Sequence, residues 1–227
     1  MVPSMKVFIV VPAYNEGRRL ATVLDDLSRT GYQVVVVDDG SSDRTADVAK
    51  SYGCFVLRHT FNRGQGAALQ TGISFALREG ADAIVTFDAD GQHQTSDLPA
   101  LLEPVLSGRT DVTLGNRFAS RQSNVPGIRK VVLQLGRVFT FITSGVRVGD
   151  CHNGYRAFSR TGAQALSLKQ DRMAHASEIY DQIKDAGLAY EEVPVTIRYS
   201  AETLAKGQKL SNSLSVLFQY LYGKIAQ

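Results

Sequence analysis

The sequence predicts an α/β protein with a mostly parallel central sheet. Short β-branched runs and amphipathic helical patterns alternate from the start of the chain; Gly punctuates the junctions; and polar clusters follow the apolar runs directly. The chain has 227 residues, which at roughly 100–200 residues per domain fits one domain with room for a sizeable core. Its composition, 44% hydrophobic and 21% charged with 20 Gly and 6 Pro, disfavours collagen-like, disordered and coiled-coil chains.

Each element has its own signal. Val7 to Val11 is a continuous apolar run, and Leu20, Val23, Leu24 and Leu27 then follow at helical spacing up to Gly31. Val34 to Val37 is a second buried strand. Ser42 is expected to cap the next helix, with Asp43 in its first turn and Gly53 at its end, before a third strand over Phe55 to Leu57. A helix from about Gly66 to Leu77, a strand Ala83 to Phe87, a helix Leu98 to Leu106 and a strand Val112 to Leu114 complete the first half. Strands buried on both faces and joined by helices imply right-handed parallel crossovers.

Beyond Phe118 the rhythm loosens. Val131, Leu135, Val138 and Ile142 mark a longer helical stretch, Asp150 to Phe158 is punctuated by Gly, Val193 to Ile197 reads as a strand, and Leu210 to Ile225 carries a helical stripe. No internal repeat, signal peptide or spanning segment is expected, since Val7 to Val11 is too short and Leu210 to Gly223 falls below the ~20 apolar residues a spanning helix needs.

The balance of charge narrows function. A formal charge of +3 is too small for a dedicated nucleic-acid binder. Cys54 and Cys151 stand alone, so a disulfide framework or a cysteine zinc site is not expected, and a reducing cytoplasm fits. In open α/β sheets ligands bind beyond the carboxyl ends of strands, and four polar clusters fall there.

Pro12-Ala13-Tyr14-Asn15-Glu16 follows the first strand and Asp38-Asp39-Gly40-Ser41-Ser42 the second. Their carboxylates can accept hydrogen bonds from ribose or base, Tyr14 can pack on a ring, and the whole suits a nucleoside; turns and helix caps are the plain alternative. Asp88-Ala89-Asp90-Gly91-Gln92-His93 follows the fourth strand. The alternation of an extended chain sets Asp88 and Asp90 to one side with the Gln92 amide next, an oxygen set suited to Mg²⁺ or Mn²⁺ and a diphosphate; a solvated acidic turn is the alternative, and His93 is left out of the metal set. The fourth cluster is spread over Gly115 to Phe118, Arg129-Lys130 and Asp150 to Arg156, where Arg117 and Arg129 could chelate phosphate and Asp150 could face a reacting centre. Gly64-Gln65-Gly66 lacks the third Gly of a dinucleotide fingerprint, so a redox enzyme is set aside, and Gly66 is taken to let the backbone approach a ligand or open a helix.

Pro12-Ala13-Tyr14-Asn15-Glu16, Val36 to Thr45 and Phe87 to Asp90, with the Gly-rich Asn62 to Ala67 between, resemble the family 2 glycosyltransferases over about the first 120 residues. Gly115 to Phe118, Asp150 to Arg156 and Glu191 to Val195 resemble its dolichol-phosphate-mannose-synthase-like branch, although Leu133 stands where relatives can carry Ser. The resemblance implies a GT-A fold, a three-layer sandwich in one domain over 1–227, with a donor half over 1–118 and an acceptor half over 119–227. It implies a nucleotide-sugar site with Pro12, Ala13, Tyr14, Glu16, Asp38, Asp39, Gly66, Asp88 and Ala89. Metal would sit on Asp88, Asp90 and Gln92, acceptor phosphate on Arg117 and Arg129, and Asp150 and Asp90 would be catalytic. The implied reaction moves a hexose from a UDP or GDP sugar to a polyprenyl phosphate with inversion. Alternatives are a glycan or other hydroxyl acceptor, a nucleotidyltransferase, and a non-catalytic nucleotide-sugar-binding subunit. A lipid acceptor implies peripheral membrane contact or a membrane partner, through residues 129–142 or 210–225, unless those stripes face the core or a second copy.

Overall fold

The computed structural model describes residues 5–120, 137, 140, 141, 144–170 and 175–199. In chain order these form β1 (Val7–Ala13), α1 (Gly17–Ser28), β2 (Gln33–Asp38), α2 (Thr45–Ser51), β3 (Phe55–Arg58), α3 (Gln65–Arg78), β4 (Ala83–Thr86), a 3₁₀ turn (Thr95–Asp97), α4 (Leu98–Leu106), β5 (Val112–Asn116), β6 (Arg156–Ser159), α5 (Arg160–Ala165), α6 (His175–Asp185) and β7 (Tyr190–Pro194). The seven strands lie in the order β3-β2-β1-β4-β6-β5-β7, and among them β6 alone runs antiparallel to its neighbours.

The all-apolar β1 works because both of its faces are covered. Val7, Ile9, Val11 and Ala13 pack with Leu20, Leu24, Leu27, Leu98 and Leu101 of α1 and α4 on one side. Phe8 and Val10 pack with Ala68 and Ile73 of α3, in the same layer as Ala163 of α5 and Ile179 of α6. The alternation of side chains across a strand thus builds a helix–sheet–helix sandwich.

Most of the expected elements are present, and α4 spans the expected residues. Four details differ. Ser42 does not cap α2, because its backbone N–H and its hydroxyl both donate to Asn15 Oδ1, at 2.9 and 3.3 Å, while Asp43 Oδ1 accepts the Thr45 N–H at 2.9 Å at the start of the helix. The segment after Gly154 forms the inserted strand β6. The last strand ends at Pro194, not Ile197, because the chain then leaves the edge of the sheet: Thr196 donates its N–H to Asp97 at 2.6 Å and Ile197 bridges to His93. Helices α5 and α6, not expected from the sequence, cover the second face. Of the stretch 131–142, residues 137, 140 and 141 are helical; the remainder, the stripe 210–225, Arg129 and Leu133 lie outside the described residues.

Candidate active site

Parallel pairing sets the carboxyl ends of the strands level. Ala13 of β1 faces Asp38 of β2 and Val10 faces Thr86 of β4, so the segments that follow emerge on one rim. Pro12 and Ala13 are buried in that rim, while Tyr14 is 48% exposed above it. Asn15 is the one described non-Gly residue with positive φ, 53°, a conformation its short amide tolerates. This turns the chain so that Asn15 receives Ser42 and its own N–H reaches Ser41 Oγ at 2.9 Å. The two nucleoside-type clusters are therefore hydrogen-bonded to one another.

Asp38 and Asp39 point to different tasks. Asp38 caps its own turn, accepting the Ser41 N–H at 2.9 Å and pairing with Arg58 Nε at 3.1 Å. Asp39 accepts the N–H groups of Arg63 and Gly64 at 2.9 and 2.7 Å and the ring N–H of His59 at 2.7 Å. Gly66 is buried in the first turn of α3, and its neighbour Gln65 donates to Asp88 Oδ1 at 2.9 Å, tying the Gly-rich segment to the acidic one.

The acidic segment is polarised. Asp88 is also bonded to His93 Nε2 at 3.1 Å, and the His93 ring stacks on Tyr155 with centroids 4.6 Å apart and meets Phe87 edge-on. Burial works against the Asp88 carboxylate, but the His93 hydrogen bond and the electrostatic influence of His93, Arg156 and His175 outweigh it and hold its carboxyl below the usual range. For Asp90 burial acts with the charge of Asp88, and its carboxyl is pushed up. Ala89 between them is buried. Gln92, expected as a metal ligand, braces Asp90: its backbone N–H and its amide nitrogen donate to the two carboxylate oxygens at 2.9 and 2.6 Å. Glu16 lies close enough to disfavour the Asp90 charge further, so the first cluster borders this one. Among the described residues no three His, Cys, Asp or Glu converge into a ready cage for a metal.

The second half brings Arg117 and Asp150 together. Arg117 follows β5 and is 5% exposed; its Nε donates to Asp150 Oδ2 and its Nη1 to the Tyr199 hydroxyl at 2.7 Å. Its Nε and Nη1 are thus engaged by Asp150 and Tyr199, so the guanidinium is oriented by a buried carboxylate and is not open on every side. Burial works against its charge, but Asp150 and Tyr199 more than offset that and keep the guanidinium strongly basic. Glu192 of β7 accepts the N–H groups of Gly149 and Asp150 and so fixes the segment that carries Asp150. Sequence reasoning missed Gln65, His59, His93, Tyr199 and Glu192 as members of the site. Gln65 and His93 sat in segments singled out for ligand contact and Glu192 in a stretch that carried the resemblance, whereas His59 and Tyr199 lie far along the chain from their partners.

Residues 8–166 match the family described as Glycosyl transferase family 2. The chain belongs to that family. This glycosyltransferase is 37% identical to an uncharacterized protein of Methanocaldococcus jannaschii over 97% of this chain and 93% of that one. It is 30% identical to the UDP-N-acetylglucosamine–dolichyl-phosphate N-acetylglucosaminyltransferase of Methanococcus voltae over 97% of each. Its fold is GT-A: glucosyl-3-phosphoglycerate synthase from Mycobacterium tuberculosis superposes with a TM-score of 0.74 at 19% identity, covering 96% of this chain and 79% of that one.

Proposed function

We propose that this glycosyltransferase is inverting and divalent-cation dependent, and moves a hexose from a UDP or GDP sugar to a polyprenyl phosphate. The observation that carries the donor half is the carboxylate pair at the end of β4, where Asp88 is held ionised and its charge opposes that of Asp90. The carboxylate oxygens of Asp88 and Asp90 fit Mg²⁺ or Mn²⁺, which use one or two carboxylates and take their other ligands from phosphate and water. When bound, the cation would neutralise charge on the departing diphosphate. The structurally similar synthase from Mycobacterium tuberculosis was crystallised with Mn²⁺ and UDP-glucose, which supports the same donor chemistry here.

Asp88 and Asp90 would hold the cation, with Gln92 bracing Asp90, while Asp39, Tyr14, Glu16 and the rim of Pro12, Ala13, Asp38, Gly66 and Ala89 would seat the nucleoside. Residues 1–118 would thus serve the donor and 119–227 the acceptor. The pairing of Asp150 with Arg117 favours a phosphate acceptor over a hydroxyl. A hydroxyl needs a base to take its proton, whereas a phosphate monoester arrives as an anion. Asp150 would then orient Arg117 toward the acceptor, with Arg129 as the second cation. Names among the relatives agree: the Methanococcus voltae enzyme and the polyprenol monophosphomannose synthase of Mycolicibacterium smegmatis, 30% identical over 86% of this chain. No described helix is long and apolar enough to cross a membrane. Contact with a lipid acceptor is taken to be peripheral or through a partner.

Incubation with labelled UDP- and GDP-hexoses, a short-chain polyprenyl phosphate and Mg²⁺ or Mn²⁺ tests this. Lipid-soluble product that disappears with EDTA is expected. Transfer unaffected by EDTA would overturn the cation, and transfer to free glycans with none to the lipid would overturn the acceptor.

A further inference from the structure

His59 belongs to none of the motifs, yet its imidazole joins the rim to α3. It follows β3 directly, its backbone N–H bonds the Asp38 carbonyl at 2.9 Å, and its side chain is 9% exposed. Nδ1 lies 2.7 Å from Asp39 Oδ1 and Nε2 lies 3.0 Å from Thr71 Oγ1. An ionised carboxylate only accepts, so Nδ1 carries the proton and donates to Asp39. The single hydroxyl proton of Thr71 is shared between that Nε2 and the Ala67 carbonyl one turn back in α3, 2.9 Å away, so Thr71 is the helix-held end of a strut.

The other donors to Asp39 are the backbone N–H groups of Arg63 and Gly64, from the turn that closes over Gly40. With His59 they occupy three of the roughly four acceptor positions of a carboxylate. His59 is the side-chain donor among them, and it ties the carboxylate to a helix where the other two tie it to a loop.

We propose that His59 is a positioning residue for nucleotide binding: its Nδ1–H locks the Asp39 carboxylate so that the remaining acceptor position meets the nucleoside. This rests on the assignment of Asp39 to the nucleoside, and the two are separable by experiment. The amide nitrogen of Asn can stand where Nδ1 stands, whereas Gln reaches toward Thr71 and leaves Asp39 without its donor.

Calorimetric titration of UDP, GDP, CDP and dTDP with Mn²⁺ into the wild-type chain selects the nucleotide, and the variants are then compared with it. Loss of a hydrogen bond to a charged group corresponds to about tenfold in Kd. His59→Gln is expected to weaken binding by about that factor and to raise the donor KM with little change in kcat, while His59→Asn stays close to wild type at a similar Tm. Thr71→Val, which removes only the far anchor, is expected to weaken binding by a smaller factor. Equal affinity in His59→Gln and His59→Asn would reduce the imidazole to a space filler and overturn the proposal. Unchanged affinity in Asp39→Ala, or no binding of any of the four nucleotides, would overturn the assignment of Asp39 itself and the proposal with it. Independently of any nucleotide, ¹⁵N-histidine spectra of the wild type should show His59 protonated at Nδ1, and a bare Nδ1 would equally overturn it.

Discussion

Arg117 reaches Asp150 twice at one oxygen: Asp150 Oδ2 accepts both the backbone N–H of Arg117, at 3.1 Å, and its Nε–H. Both residues are buried, and Asp150 Oδ1 has no hydrogen-bond partner among the described residues. Removing the guanidinium strands a carboxylate away from water. Arg117→Ala should therefore cost about 3–5 kcal/mol in urea unfolding, and Arg117→Lys should recover little because it lacks the planar fork. The double variant with Asp150→Asn should be less destabilised than the sum of the single changes, and simple additivity would refute the coupling.

Asp90 is predicted to oppose stability and activity to one another. Its carboxyl is raised in the folded protein, first by burial and then by Asp88. Folding therefore favours the protonated form, and the penalty grows as pH rises from the unfolded to the folded value and is constant above it. In metal-free buffer at pH 7, Asp90→Asn should melt above wild type, with the gap closing as pH falls toward 4, while transfer is abolished. A lower Tm at pH 7 would contradict this. Asp88 has the opposite sign, since its carboxyl is depressed. Its contribution is present above the ordinary carboxylate range and is lost as pH falls through the folded value, so Asp88→Asn should lower Tm at pH 7.

Gly154 sits under the Asp88 carboxylate. A Cβ there would lie 2.8 Å from Oδ2, and the Gly154 carbonyl is held by the Thr86 hydroxyl at 2.6 Å, so the backbone resists retreat. Gly154→Ala should displace the carboxylate and raise the Mn²⁺ concentration for half-maximal transfer by about tenfold, the effect expected of a group that orients a metal ligand. An unchanged requirement for Mn²⁺ would show that Asp88 adapts freely.

Gly40 combines φ of +75° with a close neighbour, since a Cβ would lie 2.6 Å from the Phe61 carbonyl carbon. Gly40→Ala should cost about 1–3 kcal/mol, from strain and from lifting the 59–64 turn off Asp39, and should weaken nucleotide binding as well as lower Tm. A drop in Tm with nucleotide affinity intact would separate that turn from the site.

The first half of the fold was legible because local signals and tertiary demands agree there. Val7 to Val11 and Val34 to Val37 are apolar on both faces, as a covered parallel sheet requires, and Leu20, Val23, Leu24 and Leu27 are the residues α1 buries. Beyond Phe118 the agreement ends. Strand β6 is four residues long and begins with a buried Arg156, which reads as polar in sequence but lies over the Tyr180 ring. Helix α6 offers few apolar anchors, chiefly Ile179, Tyr180 and Ile183.

The site divides in the same way. Residues that follow strands directly, such as Asp39, Asp88 and Asp90, could be found from position alone. Those that hold them could not: His59 reaches Asp39 across 20 residues and Tyr199 reaches Arg117 across 82. An isolated His or Tyr carries no periodic signal of such a partner. The pairing of Arg117 with Asp150 was hidden for the same reason, each being readable only as a lone charge.

The reversed direction of β6 determines how the chain can vary. Parallel neighbours would oblige the segment before β6 to start at the far edge of the sheet; running backward, β6 begins beside Thr86 and Leu114, so Gly149 to Tyr155 enters straight from the rim. Length added between β5 and β6 can thus accumulate at the rim while leaving strand register untouched. That gives the strand scaffold a place to vary without refolding.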